Sequence, residues 1–135
     1  METINIVLDT MLMQLSRDDG VLQVYFDSKN PQIYPVVVAN AIYLFHLARR
    51  GQEVEASGRF VKDVLLHRAY EDGTLYYNVG DTFLLQVPRP VHEFKEHFTR
   101  SGMRGLLIAP LKELRVGATC WRKEDARALA ICMRA

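Results

Sequence analysis

The sequence predicts an all-α fold built from antiparallel helical hairpins. Three observations lead there. Apolar residues recur at helical spacing in most segments, Gly and Asp turns separate those segments, and no strand–helix alternation points to a parallel sheet. A further observation is a repeat. Asp19-Gly20-Val21-Leu22, followed by Tyr25-Phe26-Asp27, recurs 53 residues on as Asp72-Gly73-Thr74-Leu75, followed by Tyr76-Tyr77 and Asp81. Met11-Leu12-Met13 precedes the first copy at the distance that Val64-Leu65-Leu66 precedes the second. A period of this length marks stacked supersecondary units that bury their apolar faces against each other.

The first helix is expected over Glu2–Ser16, because Ile4, Leu8, Met11, Leu12 and Leu15 form one stripe. Gly20 is expected at positive φ, ending the turn after it. Val21 to Phe26 reads as a short extended piece and Asp27 to Pro31 as a loop. Pro35 opens a second helix, where its missing N–H is harmless. Val36 to Leu47 is apolar on almost every side, the pattern of a buried helix, with Arg49 and Arg50 favouring its C-terminal dipole and Gly51 stopping it. Ser57 is the expected N-cap of a third helix, Gly58 to Tyr70, closed by Glu71-Asp72-Gly73. A fourth helix, Thr82–Val87, is capped by Gly80 or Asp81 and cut by Pro88 and Pro90. A fifth runs Val91–Thr99, with Phe94 and Phe98 at i, i+4. A sixth runs Leu106–Val116 around Pro110, and Ala118–Ala135 ends the chain in an alanine-rich helical pattern. Residues 88–105 read as the least regular stretch and the expected mobile connection. The whole, 1–135, is read as one helical-repeat domain.

Composition excludes several function classes. Hydrophobic residues make up 49 % of the chain, which suits a packed core. Seventeen basic against 16 acidic residues leave a net charge of +1, with no electrostatic footprint for nucleic acid. The longest apolar stretch, Val36 to Leu47, is interrupted by Asn40 and His46 and is too short to span a bilayer. With Glu2 and Asp9 where a secretory signal needs a basic start and an apolar run, the expected location is the cytoplasm. Cys120 and Cys132 lack zinc or redox spacing and read as free thiols.

The repeated Asp-Gly-x-Leu with its following aromatics resembles the repeat of the α/α-toroid superfamily, which includes squalene–hopene cyclases, class II terpene cyclases and protein prenyltransferase β-subunits. Asp18-Asp19-Gly20, Tyr25-Phe26-Asp27, Pro35 to Asn40, Arg49-Arg50-Gly51, His67 to Tyr70, Gly73 to Tyr77 and Phe83-Leu84 are similar to short fungal toroid proteins found among terpenoid and other secondary-metabolite genes. Residues 5–87 carry most of the likeness; Leu106-Leu107, Pro110-Leu111 and Asp125 to Arg134 follow it more loosely. The resemblance implies a partial toroid, an arc of hairpins, since a closed ring needs more hairpins than this length supplies. It implies work on isoprenoids. The acidic Asp-x-Asp-Asp motif of class II cyclases and the DDxxD-type Mg²⁺ motif of class I synthases are both missing, so no cofactor is expected.

Candidate chemistry rests on few residues. Asp19, Asp27, Asp72 and Asp81 are the candidate general acids, active if buried without partners; the competing reading makes them turn residues that accept backbone N–H bonds. Asn40, Tyr43, Tyr76 and Tyr77 are the candidate ligand contacts. With Tyr25, Phe26, Tyr34, Phe45 and Tyr70, the tyrosines either line a cavity that stabilises cations or fill gaps between helices. Asn40 either meets a neighbouring backbone group or faces a pocket. His46 reads as a hydrogen-bonded core histidine, and His46, His67, His92 and His97 form no metal set. There is no serine elbow and no phosphate loop. Two functions compete. One is a terpene-cyclase-like protein of secondary metabolism that binds an isoprenoid-like small molecule. The other is a non-catalytic interaction module, or a cyclase remnant, that homo- or hetero-oligomerises through an exposed apolar helix face.

Overall fold

The computed structural model describes residues 2–23, 32–72 and 81–117. Among these the fold is all-α. Seven α-helices are present: α1 (Glu2–Leu12), α2 (Pro35–Leu47), α3 (Glu55–Leu66), α4 (Asp81–Gln86), α5 (Pro88–Glu93), α6 (Lys95–Arg100) and α7 (Met103–Gly117). Two short 3-10 turns, Gly51–Val54 and Ala69–Asp72, join them. No cluster of strands occurs among the described residues; one antiparallel bridge, Leu15 to Leu22, closes the turn after α1.

Helix α2 is the hub. It packs on α3, α4, α5 and the Gly51–Val54 turn, while α7 closes the far side against α3, α4, α5 and α6. Val36, Val38, Ala39, Ala41, Ile42 and Phe45 of α2 are buried. Together with Val61, Val64, Leu65, Phe83, Leu84, Val87, Val91, Phe98, Met103, Leu107 and Leu111 they make one core. Burial on this scale is the main stabilising contribution. Tyr34, Phe45 and Tyr70, candidates for a cavity wall, are instead core: Phe45 is fully buried and Tyr70 stacks on Phe83 at 5.5 Å.

Several boundaries differ from expectation for local reasons. Helix α1 ends at Leu12, not Ser16, because the chain turns back to pair Leu15 with Leu22. Gly20 takes φ +71, as its place in the turn requires, and Val21 and Leu22 are buried. Helix α2 starts at Pro35 after an extended Tyr34, the conformation a following proline imposes. Gly51 does not stop it. The left-handed residue is Arg49, at φ 61, and Gly51 instead begins the 3-10 turn. Arg50 does not cap α2 either. Its guanidinium reaches Asp9 at 2.5 Å, Glu53 at 2.7 Å and the Asn5 carbonyl, tying α1 to the turn. Those charge-assisted bonds hold the Glu53 carboxyl below its usual range.

Ser57 is not an N-cap. It lies inside α3, fully buried, and its hydroxyl accepts the Leu22 N–H at 3.0 Å. The side chain therefore satisfies a backbone donor 35 residues away rather than one in its own first turn. Helix α3 ends at Leu66, short of Tyr70, and Arg68 leaves it at φ 54, matching Arg49 after α2. Arg68 ion-pairs with Glu71 at 3.1 Å and with Glu113 of α7.

Residues 88–105 are helical rather than an irregular connection. Pro88 and Pro90 fall in the first turn of α5, where prolines do no harm, and Phe94 (φ −110, ψ 47) breaks the expected fifth helix into α5 and α6. Helix α7 begins at Met103 and carries Pro110 within it. Both copies of the repeated segment end a helix, at Leu12 and Leu66; residues 73–80 and the Ala118–Ala135 pattern lie outside the described residues. No described helix is long and apolar enough to cross a membrane.

Candidate functional site

A groove of about 940 Å³ opens between α2, α3, α5 and α6, with the Gly51–Val54 turn and the start of α7 closing its ends. Its size falls in the range of small-molecule sites. Ile42, Val54, Phe94, Phe98 and Met103 provide the apolar lining. Glu55, Arg59 and Lys62 of α3 face Glu93 of α5 and Lys95, Glu96, His97 and Arg100 of α6 around the rim.

The groove is organised by His46. Its ring meets Phe94 at 5.0 Å, His97 at 4.7 Å and Phe98 at 5.1 Å between centroids. The fourth side is Gly51. A Cβ there would fall 2.3 Å from His46 Cε1 and 2.4 Å from Nδ1, far inside contact distance. Gly51 thus has a steric role, giving the imidazole room, and no special backbone conformation. Among the described residues His46 is held by rings and by the absence of a side chain at Gly51, with no hydrogen bond of the kind expected of a core histidine. Burial, and secondarily the neighbouring His97, lower its pKa to about 4. The uncharged ring is therefore the form that the fold favours. Since that value lies below the 6.5 of a free histidine, the unfolded chain binds more protons between the two. Stability should fall as pH drops from about 6.5 toward about 4, with no further slope from this group below that. Thermal melts from pH 7 to 4 should show the loss, and His46→Gln should flatten it.

Charge at the rim is uneven. Glu55 is paired with Arg59 at 3.5 Å, and Glu93 accepts the Tyr43 hydroxyl hydrogen bond at 2.7 Å. Among the described residues Lys62, Lys95 and Arg100 of the lining form no ion pair, against two such carboxylates, Glu93 and Glu96. The Lys62 ammonium reaches to 3.9 Å from the position a Cβ would take at Gly102, on the far lip. The mouth therefore presents spare cations above an aromatic floor.

The residues singled out in the sequence mostly lie elsewhere. Asp19 is exposed, and its Oδ1 accepts the Val21 N–H at 3.1 Å, the turn role. Asp72 is exposed at the end of a 3-10 turn. Asp81 opens α4, with its side chain outside the description, and Asp27, Tyr76 and Tyr77 lie outside the described residues. Asn40 does not sit in a buried setting: it is on the solvent side of α2. Tyr43 comes nearest to the groove. It is half-buried, its ring is 6.0 Å from Phe94, and the Arg89 guanidinium lies 5.6 Å from its centroid. Donation to Glu93 raises its phenol above the usual value. Sequence reasoning missed His97, Gly51 and Lys62 as site residues. The one signal available was Phe94 and Phe98 at i, i+4 beside His97. Among the described residues no three His, Cys, Asp or Glu groups gather as a metal site.

Comparison with known proteins gives two likenesses. The family model described as the sesquiterpene cyclase astC-like C-terminal domain matches residues 1–48, which carry α1 and α2. A drimenol cyclase from Aspergillus calidoustus is 30 % identical over 112 residues, covering 83 % of this chain and 21 % of that protein. The chain thus spans about a fifth of the length of this curated relative. No solved structure matches.

Proposed function

We propose that this terpenoid-cyclase-like chain serves terpenoid biosynthesis by holding an isoprenoid-type ligand in the groove over His46. The observation that carries the reading is the lining itself: a floor of Phe94, Phe98, Ile42 and Met103 beneath a mouth with spare cations, in a chain similar to a sesquiterpene cyclase domain. Aromatic and aliphatic walls suit a branched hydrocarbon, and Lys62, Lys95 and Arg100 suit the anionic end of a prenyl diphosphate. The role is binding. Asp19 and Asp72 stand exposed at turns and do not line the groove. On this reading residues 1–135 are one helical-repeat unit, an arc of an α/α toroid, working in the cytoplasm.

Farnesyl diphosphate titrated into the chain, followed by calorimetry, tests this. Binding is expected, with Phe94→Ala weakening it about fivefold, or ~1 kcal/mol, for the lost ring contact. Lys62→Glu should weaken the diphosphate but not farnesol. Asp19→Asn and Asp72→Asn should change neither. No binding, or equal binding by all variants, would refute the reading.

A further inference from the structure

One ring limits how far the groove reaches toward α2. Ile42, Val54, Phe98 and Met103 share the lining but belong to the core, each only 2 % exposed. Close packing behind them leaves these walls no room to recede. His46 is different. It is half-buried on the central helix and lines the same groove.

The seat of the imidazole is bounded by Phe94, His97, Phe98 and Gly51, and all four also line the groove. The position of a Cβ at Gly51 would lie 2.3, 2.4 and 2.7 Å from Cε1, Nδ1 and Nε2. The ring thus occupies the space that a side chain at residue 51 would otherwise take. Cutting the ring back leaves a slot that Gly51 has no side chain to fill. That slot opens onto the groove through residues the two already share. An imidazole has as many ring atoms as one isoprene unit has carbons, so the slot matches one such unit in size. Burial keeps the ring uncharged, so it meets a hydrocarbon end without presenting a charge to it.

We propose that His46 is the chain-length gauge of the groove: its imidazole stops the far end of a prenyl chain, and a smaller side chain there admits one more isoprene unit. The assignment rests on the isoprenoid reading of the groove and adds which residue sets the length accepted. Lys62, Lys95 and Arg100 hold the diphosphate at the rim, so the tail is measured from there to the ring. Phe94 borders the imidazole from the α5–α6 break and acts as a side wall, whose loss weakens long and short chains alike.

The test is calorimetric titration of farnesyl and geranylgeranyl diphosphate, below the concentrations at which either forms micelles, into the wild-type chain, His46→Ala, His46→Asn and Phe94→Ala. The readout is the ratio of the two affinities, which a merely structural role would leave unmoved because both ligands would weaken together. His46→Ala should shift the ratio about fivefold toward the geranylgeranyl chain, from added methylenes buried in the slot. His46→Asn, the milder truncation, should shift it the same way by about twofold and carries the comparison if His46→Ala folds poorly. Phe94→Ala should keep the wild-type ratio. A wild-type ratio in the His46 variants, folded by circular dichroism, would overturn the gauge and leave the isoprenoid reading standing. An equal shift in Phe94→Ala would overturn it too, since any trimming of the lining would then lengthen the site. Failure of the wild-type chain to bind either diphosphate would overturn both ideas.

Discussion

Gly51→Ala should destabilise the protein by about 3 kcal/mol and impair the groove. The new methyl would stand 2.3 Å from His46 Cε1, so either the ring or the turn must move. Phe94, His97 and Phe98 border it at 4.7 to 5.1 Å. Either the imidazole swings into the groove mouth, or the Gly51–Val54 turn moves off α2. Both disturb the floor of the groove, so on the proposed function farnesyl diphosphate binding should fall along with stability. A double-mutant cycle isolates the cause: adding His46→Ala removes the clash, and most of the penalty of Gly51→Ala should vanish in that background. Urea unfolding of the four proteins checks this. An unchanged midpoint in Gly51→Ala would show that the ring is free to leave and does not organise the site.

Phe45→Ala should cost about 3–5 kcal/mol, a large share of the stability of a domain this size. Phe45 is fully buried in the central helix, and the Arg50 guanidinium lies 6.0 Å from its ring centroid. Truncation leaves a void beneath the residue that clamps α1. The urea midpoint should drop sharply with little change in slope. α1 should also lose its residual protection first, because its main tether stands on the emptied site.

The all-α class was legible because helix signals are local. Pro35 announced α2, the apolar run from Val36 declared it buried, and Gly20 was readable as a positive-φ turn. Errors arose where a residue's partner lies far along the chain. Ser57 has the chemistry of an N-cap, yet its hydroxyl serves Leu22, a pairing that only tertiary structure creates. Gly51 follows two arginines, as a helix stop does, yet its function is to leave space for an imidazole five residues earlier. Pro88 and Pro90 read as breakers because spacing alone does not tell a helix start from a helix end. The groove was illegible for the same reason. It joins residues near 42–62 to residues near 93–103, and none of its pieces carries a motif. The acidic candidates were conspicuous through repetition, and repetition of Asp-Gly reports a turn as readily as a catalyst.

Helices α2 and α3 leave by the same route: a leucine, one intervening residue, then an arginine at positive φ. Glycine would make that exit without the roughly 1–2 kcal/mol that a side chain incurs there. At Arg68 the arm it would lose joins Glu71, Tyr70 and the distant Glu113. Direction of travel and cross-linking of α7 are thus vested in one amino acid. Evolution or an engineer can relax the contorted backbone at that corner only by cutting the strap that fastens α7 to it.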